Sequence, residues 1–166
     1  MAGAWPIIVV DRVEEKLRLA ASLGATHTLG VTPEADVVSQ IRDLTGGGVH
    51  YAFEAVGHPG VLHQAYQAAR RGGTVVSIGL AHPELELRLQ AVSLVTDAKV
   101  LQGSYMGSAV PARDIPRFLE LYRAGLLPVD ALVSRELPLE SVNEAMDALA
   151  GGQPVRQLLT VSGASG

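Results

Sequence analysis

The chain contains no cysteine among its 166 residues. It therefore has no disulfide bond, no thiolate ligand for zinc and no cysteine nucleophile. Aromatic residues make up only 4% of the sequence, whereas 48% of it is hydrophobic. An aliphatic core is predicted, as parallel sheets prefer. Basic residues are scattered and the net charge is −4, which argues against a nucleic-acid-binding surface.

Long apolar runs are also missing. No stretch approaches the roughly 20 residues that a membrane-spanning helix requires. Residues Met1–Val10 are apolar, but they lack the basic region and the cleavage-like site of a secretory leader. We therefore expect a cytoplasmic protein that does not enter a membrane. The length predicts a single domain over residues 1–166, with residues 162–166 as a frayed tail.

Several chemical motifs do not occur. The fingerprint G-x-G-x-x-G, the P-loop and the nucleophile elbow are all absent. The run Gly46–Gly48 precedes a predicted strand rather than following one, so it is interpreted as a loop and not as a phosphate cradle. The five histidines show no i, i+4 spacing, and no metal site is predicted.

The stretch Pro6–Asp11 places four consecutive β-branched residues between a proline and an acid. This pattern predicts a strand buried on both faces, which is typical of a parallel sheet. Ligands of open α/β sheets bind outside the carboxyl ends of the strands, where Asp11 would lie. Its carboxylate could accept hydrogen bonds from the ribose hydroxyls of a dinucleotide, or it could N-cap the next helix. The sequence leaves both interpretations open.

Strand and helix patterns alternate along most of the chain. The predicted strands and extended segments are Pro6–Asp11, His27–Gly30, Val49–Val56, Thr74–Ile78, Leu85–Leu89, Lys99–Tyr105, Ala131–Leu137 and Val155–Val161. The predicted helices are Val13–Leu23, Glu34–Leu44, Val61–Arg71, Ala91–Thr96, Asp114–Ala124 and Ser141–Leu149. This order predicts an α/β fold with a doubly wound, Rossmann-like parallel sheet between two layers of helices.

Several short motifs follow one another in a recognisable order. They are Ile8–Asp11 with Lys16, Leu23–Thr26, Phe53–Gly57, Gly73–Val76 with Ile78–Gly79, Gly103–Gly107 and Arg156–Leu159. Each is weak alone, but the ordered set resembles the carboxyl-terminal part of the zinc-type, medium-chain alcohol dehydrogenases. These enzymes transfer hydride between an alcohol and NAD, and the resemblance covers nearly the whole chain.

The resemblance implies an NAD site. Asp11 would hold the adenosine ribose with Lys16 beside it, and Arg156 would pair with the pyrophosphate. The residues that would contact the nicotinamide and its ribose are Ala55, Val56, Gly57, Ile78, Gly79, Leu80 and Met106. Plainer interpretations remain open: Ile78–Leu80 as an ordinary strand end, Met106 as core, and Glu54 as a helix cap.

The resemblance begins only at the second strand of the family's nucleotide domain. The first strand, its glycine-rich turn and its helix have no counterpart, and neither has the catalytic domain that carries zinc. The resemblance therefore implies a truncated gene product or a start codon inside a longer reading frame, which binds no zinc, binds NAD weakly and is inactive alone. The strands Pro6–Asp11 and Val49–Val56 are predicted to close the gap and pair directly, giving the order 3-2-4-5-6.

Two other functions compete with this one. A non-catalytic nucleotide-binding or dimerisation module would show the same motifs. A receiver-like signalling domain also opens on a strand that ends in Asp. It is disfavoured because Arg12 follows Asp11, Glu54 stands where an Asp belongs, and Lys99 precedes its strand.

The segment Glu84–Leu89 predicts self-association. Its three leucines alternate with Glu86 and Arg88, a pattern typical of a strand with one covered face. An apolar edge strand pairs readily with another chain, and this region joins two subunits in the resembling dehydrogenases. We expect a homodimer through Glu84–Leu89. The alternative is a surface hairpin whose leucines cover the chain's own core.

Overall fold

The computed structural model describes residues 3–105, 107, 109–152 and 156–161. Strands and helices alternate as the sequence predicts, and every strand pair is parallel. In chain order the elements are β1 (Ile8–Asp11), α1 (Glu14–Ser22), β2 (His27–Gly30), α2 (Val37–Thr45), β3 (Val49–Glu54), α3 (Pro59–Ala68), β4 (Ala69–Ser77), α4 (Ala91–Thr96), β5 (Val100–Gly103), α5 (Pro111–Arg123), β6 (Val133–Pro138), α6 (Val142–Ala150) and β7 (Arg156–Thr160). The predicted Rossmann-like α/β class is confirmed.

The strands are divided among separate parallel sheets. β1 pairs with β2, β4 lies between β3 and β5, and β6 pairs with β7. The predicted direct pairing of β1 with β3 is therefore wrong, and so is the single order 3-2-4-5-6.

Helix packing, rather than strand pairing, joins the first two sheets. The buried residues Val37 and Ile41 of α2 and Ala68 of α3 form one cluster. That cluster packs against Ile8 of β1 and also against Val49 of β3. Because this cluster of residues from α2 and α3 contacts both sheets, the sheets are joined without hydrogen bonds between β1 and β3. A prediction based only on unpaired strand edges could not include this contact.

The core of the second sheet lies on the α3 side. Ala52, Tyr66, Ala69 and Val75 form its buried cluster. The alternation in β3 predicts two faces but not which face is covered. The structure buries the face of Ala52, while Tyr51 and Phe53 on the other face are 65% and 63% exposed.

The boundary between α3 and β4 differs from the prediction. Arg71 was expected in the helix and Gly72–Gly73 at its end, but α3 ends at Ala68 and these residues lie within β4. Gly73 is needed there because an added Cβ would lie 2.8 Å from the carbonyl oxygen of Arg70. Gly73 thus allows close backbone packing within β4 instead of ending a helix.

The predicted strand Leu85–Leu89 is also wrong. The chain turns at Pro83–Glu84, and residues 85–90 form no regular element. Leu89 packs against the core cluster of the second sheet, whereas Leu85 is exposed. The segment thus covers part of its own core instead of extending the sheet.

Helix α5 is stabilised at its amino terminus by an acid. Asp114 is buried, and its Oδ2 accepts a hydrogen bond of 2.7 Å from the backbone N–H of Val110. The neighbouring Arg113 guanidinium, followed by this backbone N–H, lowers the pKa of the Asp114 carboxyl. Across the described ranges, no helix is both long and apolar enough to span a bilayer.

Candidate functional site

Two loops meet at the carboxyl end of the second sheet. β3 and β4 are parallel neighbours with Glu54 opposite Ser77, so the loops that follow them leave the same edge. The backbone N–H groups of Ile78 and Gly79 donate to the carbonyl oxygen of Glu54, at 2.7 and 3.0 Å. The structure therefore brings the predicted residues Ala55–Gly57 and Ile78–Leu80 together at the edge where α/β folds bind ligands.

The two loops touch through glycines. Gly57 has a φ of +80°, and a Cβ added to it would lie 2.6 Å from the carbonyl oxygen of Leu80. A Cβ added to Gly79 would overlap the nitrogen of Gly57 and lie 2.7 Å from its Cα. Neither position has room for a side chain, so the backbones themselves form the contact.

The outer surface of this pair of loops is apolar. Val56 and Leu80 are 72% and 83% exposed, and Ile78 is also exposed. Exposed apolar side chains beside a strand-end loop suit the flat face of a ring, while the backbone supplies the polar groups.

Glu54 is a site residue for which the sequence predicts only a possible role as a helix cap. It is 1% exposed, and its Oε1 accepts hydrogen bonds from the backbone N–H groups of Val56 and Gly57 at 2.7 and 2.6 Å. It supports the loop rather than capping α3, whose N-cap is His58. An acid within the apolar run Ala52–Val56 is the signal that could have revealed it.

Asp11 lies at the end of β1, as predicted. Its Oδ1 accepts a hydrogen bond of 2.9 Å from the backbone N–H of Val13, but Val13 and not Asp11 is the N-cap of α1. The carboxylate thus orders the turn before the helix. Among the described residues, none donates a hydrogen bond to its other oxygen.

Lys16 projects from α1 into a cleft of about 400 Å³. Leu19 of the same helix and Leu23 just after it line one side, and Leu132 and Leu149 from the carboxyl-terminal part of the chain line another. The described residues that line the cleft are mainly apolar, and Lys16 is the charged one among them.

Two residues that the sequence predicts to contact NAD remain, Arg156 and Met106. Arg156 begins β7 and lies in the sheet with β6, and over the described ranges no hydrogen bond connects its side chain with Asp11 or with the loops. Met106 lies outside the described residues. The two loops and the Asp11 turn are therefore the parts of the predicted site that the structure defines.

The zinc of the resembling enzymes does not fit this chain. Within the described ranges, no group of three His, Cys, Asp or Glu side chains could hold a metal ion. The sequence has no cysteine. We therefore derive no chemistry that passes through a metal.

Comparison with known proteins agrees with the geometry. The family model described as "Zinc-binding dehydrogenase" matches residues 1–124. The NDMA-dependent alcohol dehydrogenase of Amycolatopsis methanolica is 38% identical over 162 residues, covering 95% of this chain and 43% of that protein. The crystal structure of benzyl alcohol dehydrogenase from Acinetobacter calcoaceticus superposes with a TM-score of 0.90 at 31% identity, covering 96% of this chain and 44% of that one.

A solved structure with a bound nucleotide is also similar to this chain. A putative zinc-binding dehydrogenase from Sinorhizobium meliloti, bound to NADP, matches with a TM-score of 0.84 at 27% identity, over 95% of this chain and 46% of that one. The chain thus spans less than half the length of these relatives. The family match covers most of the chain, and the strand-end loops lie within it. The chain belongs to the zinc-binding dehydrogenase family, of which it carries a nucleotide-binding part.

Proposed function

We propose that this chain supplies the nucleotide site of an NAD-dependent alcohol dehydrogenase, in which hydride passes between an alcohol and the nicotinamide. The observation that carries this proposal is the meeting of Ala55–Gly57 with Ile78–Leu80 at the carboxyl edge of the second sheet. Asp11 ends β1 with one carboxylate oxygen to which no described residue donates. The Asp11 carboxylate suits the adenosine half of a dinucleotide, and the two loops suit its nicotinamide half.

NAD would supply the hydride acceptor, and the residues present would bind and orient it. Asp11 would accept hydrogen bonds from the adenosine ribose, with the ammonium of Lys16 beside it. Val56 and Leu80 would flank the nicotinamide half. Arg156 would pair with the pyrophosphate, as a guanidinium can.

We propose that the chain by itself binds NAD weakly and does not oxidise alcohols. Pyrophosphate is usually held by the amino terminus of a helix after a glycine-rich turn, and this sequence contains no such fingerprint. Contacts to the riboses alone supply limited affinity. A non-catalytic nucleotide-binding module is the second candidate, favoured by the lack of a metal-ligand group among the described residues.

Replacing Asp11 with Asn should weaken NAD binding by about tenfold, because the ribose loses a charged acceptor. Titration calorimetry with NAD and with adenosine measures this, and both should weaken equally. Asp36→Asn is the matched control: it also removes one negative charge, and Asn caps a helix as well as Asp does. Asp36 caps α2 at the N–H of Ser39, and it is not among the residues predicted to contact NAD.

Equal affinity in the Asp11→Asn and Asp36→Asn proteins would contradict the role of Asp11. A low-micromolar dissociation constant for NAD in the unaltered chain would contradict weak binding. Oxidation of an alcohol by the unaltered chain would contradict inactivity, and it would exclude the non-catalytic module as well.

We also propose that the chain forms a homodimer through Glu84–Leu89. The exposed Leu85 supports this proposal, and the contact would not be a strand pairing because residues 85–90 form no strand. Leu85→Lys should lower the sedimentation coefficient to that of a monomer that remains folded and unfolds cooperatively. Leu89→Lys is the contrasting variant: Leu89 packs on the core, so it should destabilise the fold. A monomer at high concentration without any substitution would refute the dimer.

A further inference from the structure

Glu54 is one of the largest fully buried side chains of the described structure, and it is an acid. Its carboxyl oxygen Oε1 accepts from three consecutive backbone N–H groups. These belong to Val56 at 2.7 Å, Gly57 at 2.6 Å and His58 at 3.4 Å. One side-chain atom therefore turns the N–H groups of the first loop inward.

The main chain of Glu54 does the same for the second loop. Its carbonyl oxygen accepts from the N–H groups of Ile78 and Gly79. Five backbone donors from two loops thus converge on this one residue. The contact of Gly57 with Gly79 holds the loops together just beyond it.

Because these five N–H groups are bonded to Glu54, the hydrogen-bonding groups that the two loops offer to a ligand are mainly carbonyl oxygens, which are acceptors. Within the described part of the chain, no backbone N–H donates to the carbonyl oxygens of residues 55–57 or 78–80. A phosphate group presents charged oxygens that act mainly as acceptors, and sites that hold it present N–H groups. Hydroxyl and amide groups, in contrast, can donate to free carbonyl oxygens.

We propose that Glu54 is a positioning residue that sets the hydrogen-bonding character of this site. By drawing the N–H groups of both loops inward, it leaves a surface that binds uncharged donor groups and rejects phosphate. The donor groups are the hydroxyls and the carboxamide of the nicotinamide half, which the proposed function places at these loops. This inference rests on that proposed site and adds the role of Glu54 within it.

The experiment uses isotope-labelled full-length chain in NMR titrations with nicotinamide riboside, adenosine and inorganic phosphate. Glu54→Ala removes the acceptor for the three N–H groups, whereas Glu54→Gln keeps a side-chain oxygen of the same reach. Asp114→Ala is the matched control, because Asp114 is also a buried acid bonded to a backbone N–H but lies on α5.

Nicotinamide riboside should bind Glu54→Ala about tenfold more weakly than the unaltered chain, the loss expected when the acceptors are no longer held in place. Adenosine affinity should stay within about twofold, since it depends on Asp11. Phosphate should now shift the amide signals of residues 56–58. Glu54→Gln should keep the nicotinamide riboside affinity within about threefold, a rescue that lost stability alone would not produce.

Three outcomes would overturn the inference. One is an equal loss of both nucleosides in Glu54→Ala and Asp114→Ala. Another is phosphate binding to the amides of residues 56–58 in the unaltered chain, a measurement that holds even if Glu54→Ala does not fold. The third is failure of the unaltered chain to bind either nucleoside, which would overturn the proposed function as well. In the first two outcomes the proposed function stands.

Discussion

Replacing Gly79 with alanine should destabilise the chain by at least about 3 kcal/mol, or prevent it from folding. The added methyl group would meet the backbone nitrogen and Cα of Gly57 and, at 2.9 Å, the carbonyl carbon of Val56. These are backbone atoms, so no change of rotamer relieves the overlap. The two loops must separate, and the hydrogen bonds of Ile78 and Gly79 to Glu54 must lengthen or break.

Gly103→Ala is the matched control for this prediction. Gly103 ends β5 opposite Ser77, and an added Cβ would meet no atom within 4 Å. Alanine there should leave stability unchanged or raise it by up to about 1 kcal/mol, because it restricts the unfolded chain. Urea unfolding followed by circular dichroism compares the two variants. Equal midpoints for Gly79→Ala and Gly103→Ala would show that the loops do not touch in solution.

The elements of this fold could be predicted from the sequence because local patterns determine them. The strand before Asp11 and the helical spacing within α2 lie close to where the sequence predicts them. The predicted burial of that strand on both faces is wrong, because Ile7 and Val10 are exposed and no residue of β1 is fully buried. The end of α3 could not be read locally, because its apolar pattern continues into Ala69. That residue begins β4 by pairing with Val49, a contact about 20 residues away along the chain that no periodicity contains.

The arrangement of the sheets required tertiary information. Unpaired strand edges favour closing a gap, which predicts that β1 meets β3. The competing contribution is the burial of Val37 and Ile41 against both sheets. That contribution depends on the shape of the whole layer of helices, and pairing rules do not include it.

The candidate site could be predicted only in part, because it too depends on tertiary contacts. Ala55–Gly57 and Ile78–Leu80 were identified by resemblance, and the pairing of β3 with β4 brings them together. The role of Glu54 could not be predicted, because the alternation in β3 defines two faces without identifying the one that is covered. Which face is covered depends on α3, whose Tyr66 packs beside Ala52.

The second large effect on stability is expected at Lys99, a buried cation at the end of the second sheet opposite the two loops. The Lys99 side chain is 3% exposed and its ammonium lies 3.4 Å from Oδ2 of Asp97. It donates a hydrogen bond of 2.9 Å to the carbonyl oxygen of Tyr66 and lies 4.6 Å from the centre of that ring. A cation at the end of α3 is favourable because the last carbonyls of a helix carry partial negative charge.

Lys99→Ala should cost about 2–3 kcal/mol of unfolding free energy. It opens a cavity beside the Tyr66 ring and leaves Asp97 without its cation, a loss discounted because Asp97 is partly exposed to solvent. Glu144→Ala is the control: the Glu144 side chain is 65% exposed and 3.5 Å from Arg135, so its removal should change stability by less than about 0.5 kcal/mol.

Lys99→Met separates the effect of lost packing from the effect of the lost charge, because methionine fills about the same space without a charge. A stability between those of the unaltered chain and Lys99→Ala is expected. Since Lys99 precedes β5 and the loops follow β3 and β4, nucleoside affinity should not change in any of these variants. If Lys99→Met matched the unaltered chain in urea unfolding, packing alone would account for the role of Lys99 and its charge would contribute nothing. If Lys99→Ala matched the unaltered chain as well, the lysine would not be buried in solution.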